Sequence, residues 1–166
     1  MDINIIVAVS ENMAIGKNNQ MLWHLPEDFK YFKNTTWGLP ILMGRRTFNS
    51  LDNKPLRGRI NIVLSRNKEY KSDGAIVVNK IDTAIFLAKE HYYNQLFVIG
   101  GGQLYKEILP KVKRIYITRV KATFETADTF FPAFSEKEFQ LVSCDEHKAD
   151  EKNPYDYTFE VWERRR

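Results

Sequence analysis

The sequence lacks the cross-links and breaks that organise many small or multidomain proteins. Its 166 residues include one cysteine, so no internal disulfide can form, and no Cys/His spacing typical of a zinc site occurs. Cys144 lies in a segment that predicts a strand, which favours a small apolar residue over a nucleophile. No internal repeat, low-complexity tract or Pro/Ser-rich linker interrupts the chain. We therefore expect a single domain over residues 1–166.

Long apolar runs are also missing. The run Ile5–Val9 has the length of a strand and is far short of the roughly 20 residues that cross a bilayer. The N-terminal residues lack the positive flank and the cleavage site of a signal peptide. These patterns predict a soluble cytoplasmic protein that does not bind membranes.

The excess of basic charge is small. Hydrophobic residues make up 43% and charged residues 28% of the chain, which excludes a disordered tail, a collagen-like fibre and a coiled-coil rod. The net charge of +4 includes the terminal run Arg164–Arg166, which we expect to be solvated, so the rest of the chain carries only +1. The positions of the other arginines are therefore more informative than their number.

Strand and helix patterns alternate along the chain. The strands are predicted at Ile3–Val9, Ile41–Met43, Ile60–Ser65, Ala75–Val78, Leu96–Ile99, Ile115–Val120, Phe139–Cys144 and Tyr155–Glu163. The helices are predicted at Leu25–Thr36, at Arg45–Leu51, from a cap at Asp82 to Tyr92, and from Gly102 to Leu109. This order predicts an α/β fold with a central, mostly parallel eight-stranded sheet, a C-terminal antiparallel hairpin and about four flanking helices.

An acidic residue borders the apolar face of the first predicted helix. Leu25, Phe29 and Phe32 have the spacing of one apolar stripe, Asp28 adjoins that stripe, and Glu27 points away from it. A carboxylate against an apolar surface is costly unless it has a partner or a chemical task. Helix position alone favours the simpler interpretation, in which Asp28 is a first-turn acid stabilised by the helix dipole.

Two strand-to-helix turns have features of phosphate-binding sites. Gly44 is followed by Arg45, Arg46 and Thr47, and three glycines, Gly100–Gly102, precede another helix. Neither turn matches the GxGxxG fingerprint or a P-loop. Together they suggest a ligand with two phosphates across the ends of parallel strands, and Arg66 after Ser65 could contact a further phosphate. Each arginine alone could equally be a surface residue.

The order of these motifs resembles the dihydrofolate reductase family of the bacterial chromosomal type, essentially from end to end. Each motif is weak alone, and their order and spacing carry the resemblance. The motifs are Ile15-Gly16, Trp23-x-Leu25-Pro26-x-Asp28, Ile41-Leu42-Met43-Gly44-Arg45-x-Thr47, Gly58-Arg59-x-Asn61, Ile99-Gly100-Gly101-Gly102, Ile115-Tyr116-Ile117-Thr118 and Asp128-Thr129-x-Phe131-Pro132.

The resemblance implies NADPH-dependent reduction of 7,8-dihydrofolate to tetrahydrofolate. Asp28 matches the family's acid in the pterin pocket, which holds the pterin and promotes protonation of its imine nitrogen. This assignment replaces the interpretation from helix position alone. Trp23 matches a residue beside a water on the proton path, and Thr118 matches the residue that supports the carboxylate by hydrogen bonding.

The resemblance also implies the other substrate contacts. Arg59 matches the arginine that clamps the glutamate α-carboxylate, a task suited to a planar bidentate donor. The positions that match the lining of the substrate pocket are Ile6, Ala8, Phe32, Leu51 and Ile99. Antifolate inhibitors are further small-molecule ligands implied by the family, and neither a metal nor a nucleic acid is expected. Most similar enzymes are monomers, so a monomer is expected.

For NADPH, the resemblance implies contacts along the whole cofactor. Ser65 and Arg66 would lie near the 2′-phosphate, and a cis peptide would join Gly100 to Gly101. The segment Ile15–Met21 matches a mobile flap that closes over the nicotinamide. The cofactor-binding positions are Ala8, Ile15, Gly16, Met21, Gly44, Arg45, Arg46, Thr47, Ser65, Arg66, Gly100, Gly101, Gly102, Gln103, Leu104 and Tyr105.

Two other functions are compatible with parts of the sequence. A pyrimidine reductase of riboflavin synthesis shares the fold and NADPH chemistry, but the pattern of Trp23, Asp28 and Arg59 argues against it. A basic nucleic-acid-binding domain would need clustered Lys and Arg, whereas here acidic residues interrupt the basic ones. The 52–57 loop before Arg59 is one residue longer than in many relatives, which leaves its contacts with the folate tail open.

Overall fold

A large sheet flanked by four helices dominates the computed structural model, which describes residues 1–166. The strands are β1 (Asp2–Val9), β2 (Ala14–Gly16), β3 (Pro40–Gly44), β4 (Ile60–Leu64), β5 (Ile76–Val78), β6 (Gln95–Val98), β7 (Arg114–Val120), β8 (Thr129–Phe130), β9 (Phe139–His147) and β10 (Tyr157–Arg164). The helices are α1 (Pro26–Thr36), α2 (Arg45–Ser50), α3 (Ile81–Glu90) and α4 (Gly102–Ile108), and a 3₁₀ turn follows at Leu109–Lys111.

The main sheet has eight strands in the order β5-β4-β3-β6-β1-β7-β10-β9. The pairs from β5 to β7 are parallel, and β10 joins β7 and β9 in antiparallel pairs. The predicted fold class is therefore confirmed, including the antiparallel hairpin at the C-terminus. Strand β1 lies inside the sheet and is buried over most of its length, as its continuous apolar run predicts.

The register of the parallel strands brings their carboxyl ends to one edge of the sheet. Gly44 at the end of β3 is paired with Leu64 at the end of β4, and Ala8 near the end of β1 is paired with Thr118 of β7. Ligands of open α/β sheets bind outside this edge. The loops and helix starts that follow these strands therefore define the region where a site is expected.

A second, two-stranded sheet pairs β2 with β8 in antiparallel fashion. The sequence patterns do not predict it, because strands of three and two residues are too short to show a period. Of the two aromatic residues that follow the turn at Asp128, Phe131 is buried in the core and Phe130 is exposed.

Helix α1 presents a different face to the sheet than the apolar spacing predicts. Phe29 is 43% exposed, so the predicted stripe is wrong at this position, whereas Leu25 is buried. The buried residues of the helix itself are Asp28 and Thr36. Both are polar, and both have hydrogen-bond partners on other elements, which is what allows them to be buried.

Helix α3 begins without the predicted cap. Its first residue is Ile81, Lys80 precedes it, and no side chain caps its N-terminus. Asp82 lies inside the first turn, where its carboxylate pairs with Lys111 at 3.0 Å. Because the N-cap residue is Lys80, the prediction of a cap at Asp82 is wrong by two positions, and the carboxylate of Asp82 instead interacts favourably with the helix dipole from within the first turn.

The C-terminal arginines are only partly solvated. Arg164 donates hydrogen bonds from Nε to the carbonyl of Val112 and from Nη2 to that of Leu109, at 2.8 and 2.7 Å. Its guanidinium also lies 4.6 Å from the centre of the Phe139 ring. The expectation of a solvated run is therefore wrong for Arg164, because it completes the end of β10, while Arg166 is exposed.

Two smaller expectations concern Cys144 and membrane insertion. Cys144 lies on a strand, as predicted, but β9 is the edge of the sheet and the thiol is exposed. None of the helices has the length and apolar composition needed to cross a membrane.

Candidate active site

The two glycine-containing turns meet at the edge of the sheet. The N–H of Gly44 donates to the carbonyl of Gly100 at 2.8 Å, and the N–H of Ile99 donates to that of Leu42 at 2.9 Å. The peptide between Gly100 and Gly101 is cis, as the resemblance implies. Gly100 has a φ of +122°, a conformation that side-chain-bearing residues rarely adopt. The chain thus places both turns side by side.

Asp28 is the buried acid of this region. It is 9% exposed, and the hydroxyl of Thr118 on β7 donates to its Oδ1 at 2.7 Å. Burial raises the pKa of Asp28 from 3.8 to about 6, and the bond from Thr118 opposes part of that rise. A carboxyl group with this pKa can exchange a proton near neutral pH.

Trp23 precedes the helix that carries this acid and has an unsatisfied donor. Its side chain is buried with Leu25, Val120 and Tyr157, and Ala8 packs against the same cluster. The indole Nε1–H has no hydrogen-bond partner within the protein, although its nitrogen is fully buried. Buried donors are nearly always satisfied, so this N–H indicates a position where a ligand or a water is bound.

The predicted apolar lining gathers in one cluster. Ile6 is buried in the second core cluster, and three further predicted residues are partly buried against the same cluster. They are Phe32, Leu51 and Ile99. Ala8 is the exception, since it packs in the neighbouring cluster beside Trp23. The structure therefore brings the predicted substrate residues to one side of the sheet.

Arg59 is held so that part of its guanidinium stays available. Its Nε–H donates to Thr36 Oγ1 at 2.8 Å, an Nη1–H donates to the carbonyl of Arg57, and an Nη2–H donates to that of Lys33 at 3.4 Å. An arginine has five N–H donors. These bonds leave one N–H on each terminal nitrogen without a partner in the protein, and such N–H groups can bind a carboxylate. Partial burial lowers the pKa of Arg59.

Positive side chains surround the turns where phosphates are predicted to bind. Arg45 and Arg46 begin α2 and are exposed, and Arg66 is exposed beside the buried Ser65. Their positions follow from the sheet, because Arg45 and Ser65 directly follow the paired residues Gly44 and Leu64. Exposed guanidinium groups without ion pairs suit an anionic ligand.

Known proteins share this sequence and this fold. The sequence model of the family described as dihydrofolate reductase matches residues 2–164. The chain belongs to the dihydrofolate reductase family. A type 3 dihydrofolate reductase of Salmonella typhimurium is 41% identical over 166 residues, which is 100% of both chains. The enzyme of Haemophilus influenzae is 39% identical over 165 residues, which covers 99% of this chain and 100% of its own.

A solved structure extends the comparison to the fold. Dihydrofolate reductase from Enterococcus faecalis, complexed with NADP(H) and RAB-propyl, superimposes with a TM-score of 0.92 at 32% identity. The match covers 99% of this chain and 97% of that one. The pyrimidine reductase and the nucleic-acid-binding domain are therefore set aside in favour of the dihydrofolate reductase family.

The segment that matches the family's flap is attached at two places. Ile15 and Gly16 belong to the small sheet, and the N–H of Asn18 donates to Asp128 Oδ2 at 2.9 Å. Farther along, Asn19 Nδ2 donates to the carbonyl of Arg46 at 2.8 Å, while Met21 is exposed. The segment therefore contacts the residue just before β8 and the start of α2.

The remaining predicted cofactor residues lie on or beside α4. Gly102 begins this helix, and Gln103 is exposed with a hydrogen bond to Glu107. The side chains of Leu104 and Tyr105 are buried in the main core, and the Tyr105 hydroxyl donates to the carbonyl of Ile6 at 2.9 Å. Thr47 approaches Gly101, since a Cβ there would lie 3.5 Å from its Oγ1.

The sequence predictions assign no individual role to three residues that this geometry uses. Asp128 accepts the flap's hydrogen bond, Asn19 donates to α2, and Tyr70 lies under the guanidinium of Arg45. In the sequence, Asp128 indicates a turn, but that pattern does not identify Asn18 as its hydrogen-bond partner. Each of these contacts joins distant segments, so no local pattern could have identified it.

Proposed function

We propose that this chain reduces 7,8-dihydrofolate to 5,6,7,8-tetrahydrofolate with NADPH, and that Asp28 promotes the protonation of the pterin. The observation that carries the proposal is the buried carboxyl group of Asp28, with Thr118 as its partner and a pKa raised to about 6. This reaction supplies tetrahydrofolate for one-carbon metabolism and for thymidylate and purine synthesis. The family membership of the chain supports the same activity.

The two parts of the reaction need different surroundings. Hydride transfer is favoured where water is excluded, whereas protonation of the imine nitrogen needs an acid that is available near pH 7. A carboxyl group whose pKa is raised by burial meets both needs, because the apolar surroundings that exclude water also favour its protonated form. Asp28 would hold the amino group and ring N–H of the pterin through its oxygens.

The neighbours of Asp28 would complete the substrate pocket. Trp23 would donate its unsatisfied Nε1–H to a water beside the carboxyl group, and Thr118 would fix the position of the carboxyl oxygens. The two free N–H groups of Arg59 would bind the α-carboxylate of the glutamate tail. The apolar lining would come from Ile6, Ala8, Phe32, Leu51 and Ile99.

The cofactor side has the groups that NADPH requires. The adjacent glycine turns allow a ligand to approach the backbone closely, and exposed arginines on two neighbouring strand ends provide charge for its phosphates. NADPH, when bound, supplies the hydride. The residues that would hold it are Ala8, Ile15, Gly16, Met21, Gly44, Arg45, Arg46, Thr47, Ser65, Arg66, Gly100, Gly101, Gly102, Gln103, Leu104 and Tyr105. The flap Ile15–Met21 would close over the nicotinamide and exclude water.

The proposed enzyme is one domain over residues 1–166, monomeric and cytoplasmic. The continuous main sheet, which joins residues from both ends of the chain, supports a single folding unit. The exposed free thiol of Cys144 is compatible with a reducing compartment. Sedimentation equilibrium in the micromolar range tests the oligomeric state, and a mass of twice 19.5 kDa would contradict the monomer.

A direct assay tests the activity. The purified chain should consume NADPH, followed by its absorbance, when dihydrofolate is added, and an antifolate inhibitor should stop the reaction. A ribosylaminopyrimidine, offered as the alternative substrate, should give no consumption. Turnover of the pyrimidine without turnover of dihydrofolate would contradict the proposal. Retention on heparin without reductase activity would instead favour nucleic-acid binding.

A further inference from the structure

An aromatic ring supports one of the arginines at the predicted phosphate site. The Cζ atom of Arg45 lies 4.0 Å from the centre of the Tyr70 ring, the shortest of the contacts between cations and rings in the chain. Attraction between a guanidinium and the face of an aromatic ring is effective within about 6 Å. The ring is therefore placed to hold the guanidinium in one orientation.

The loop that carries Tyr70 is itself organised by hydrogen bonds. The N–H of Tyr70 donates to the carbonyl of Asn67 at 3.1 Å, and the N–H of Asn67 donates to Ser65 Oγ at 3.2 Å. Asn67 also accepts the N–H of Glu69 on its Oδ1 at 3.0 Å. The half-buried Tyr70 side chain packs against the second core cluster. The side chain of Tyr70 thus packs against the core, and its backbone is hydrogen-bonded within the turn after Ser65.

The guanidinium of Arg45 has no other support. Its side chain forms no hydrogen bond and no ion pair within the protein, so all five N–H donors are available to a ligand. Arg46 and Arg66 are exposed and have no such ring beneath them. Among these three arginines, only Arg45 has a defined side-chain contact before a ligand binds.

The position of this pair relates it to one particular part of the cofactor. Arg45 and Ser65 directly follow paired residues at the ends of β3 and β4, so the two turns are neighbours. The phosphate proposed to lie at Ser65 and Arg66 is the 2′-phosphate of the adenosine. The Tyr70 ring contacts Arg45 of the first turn, and hydrogen bonds within residues 65–70 connect Tyr70 to Ser65 of the second turn.

We infer that Tyr70 is a positioning residue that orients Arg45 toward the 2′-phosphate and thereby contributes to the preference for NADPH over NADH. The inference rests on the proposed function, because it needs NADPH as the cofactor. An arginine that is oriented in advance loses less side-chain freedom on binding, and the advantage applies only to a ligand with the additional phosphate. Tyr70 does not itself need to contact the cofactor.

The test compares substitutions that remove the aromatic face with one that keeps it. Tyr70→Leu retains apolar packing without a ring, and Tyr70→Phe retains the ring without the hydroxyl. Tyr70→Leu should raise the KM for NADPH about two- to fivefold, with the KM for NADH and kcat unchanged. Tyr70→Phe should restore the preference of the original chain. Tyr92→Ala, at a 93% exposed tyrosine, is the matched control.

A binding measurement separates this inference from the activity. Calorimetric titration with adenosine 2′,5′-bisphosphate should show the same loss of affinity in Tyr70→Leu, and titration with adenosine 5′-monophosphate should show none. In an Arg45→Ala background, Tyr70→Leu should have no further effect. Equal loss for both nucleotides, or a loss that persists without Arg45, would overturn the inference. A chain without preference for NADPH over NADH would instead contradict the proposed cofactor.

Discussion

Asp28 and the arginines of the cofactor side represent two ways of preparing a site for a ligand. Asp28 is buried, paired with Thr118 and shifted in its pKa before any substrate arrives. Arg46 and Arg66 are exposed and unpaired, and Arg45 is supported by a ring alone. The acid must therefore be stabilised by the fold, whereas water stabilises the exposed arginines, and the proposed phosphate ligand would replace that water.

The difference follows from the chemistry proposed for each side. A proton donor needs a pKa near the working pH, and only burial or neighbouring charges can raise that of a carboxyl group so far. A guanidinium is ionised at every physiological pH and needs no such adjustment. Substitutions on the buried side should therefore have large effects that depend on pH, and those on the exposed side should have smaller effects that depend on salt.

The largest effect is expected from removing the acid. Asp28→Asn should lower kcat at pH 7 by about 10²- to 10⁴-fold, the usual contribution of a positioned acid or base. The affinity for NADPH, measured by fluorescence titration, should stay within about twofold of the original because the arginines are unchanged. Glu27→Gln, at the exposed neighbouring acid, is the matched control. Equal turnover of Asp28→Asn and the original chain at pH 7 would refute the role of Asp28.

The same substitution should reveal what the buried acid costs in stability. The pKa of Asp28 is raised from 3.8 to about 6, so its contribution to stability is full below pH 3.8 and is lost as the pH rises through about 6. The shift corresponds to about 3 kcal/mol. Relative to Asp28→Asn, the original chain should therefore lose up to about 3 kcal/mol of unfolding free energy between pH 4 and pH 7. Urea denaturation at both pH values measures this, and a difference that is constant with pH would contradict it.

Arg59 is intermediate between the two sides, since the protein holds three of its donors and leaves two for the ligand. Arg59→Ala should raise the KM for dihydrofolate about 100-fold, because it removes a bidentate pair with a carboxylate. A dihydropterin without the glutamate tail should be reduced at an unchanged rate. An equal loss with both substrates would indicate a general disturbance of the pocket instead.

The exposed charges should have smaller effects. Replacing Arg45 and Arg66 by Ala together should reduce the preference for NADPH over NADH about tenfold at low ionic strength. The reduction should shrink as salt is added, because exposed charges are screened. Steady-state kinetics with both cofactors at two salt concentrations measures it. An unchanged preference in the double variant would show that these arginines do not contact the 2′-phosphate.

The sequence predicts the fold better than it predicts the pairing of individual residues. The parallel sheet follows from local features, namely short apolar runs that alternate with amphipathic segments and turn residues. The hydrogen bond that caps the start of α1 does not follow from local features. The N–H of Glu27 donates to Asn153 Oδ1, and the two residues are 126 positions apart in sequence. Likewise, the small sheet of β2 and β8 has too few residues for a periodic pattern.

The candidate site shows the same limit. The residues Asp28 and Arg59 are identified by their resemblance to a family, whereas helix position alone favours an ordinary first-turn acid at Asp28. Burial of that acid depends on Thr118, which is 90 positions away in sequence and on another element. Tyr70 gives no sequence signal, because its importance depends on the neighbouring ends of β3 and β4.

The smallest effect is expected from the partner of the buried acid. Thr118 donates to Asp28 and opposes the rise of its pKa, so Thr118→Val should raise that pKa by roughly one further unit. If the protonated acid promotes the reaction, as proposed, the fall of kcat/KM with increasing pH should begin about one unit higher than in the original chain. Thr118→Ser, which keeps the hydroxyl, should restore the original profile. A profile that moves to lower pH in Thr118→Val would mean that Thr118 does not stabilise the ionised carboxylate, and the geometry of the buried pair would then need another explanation.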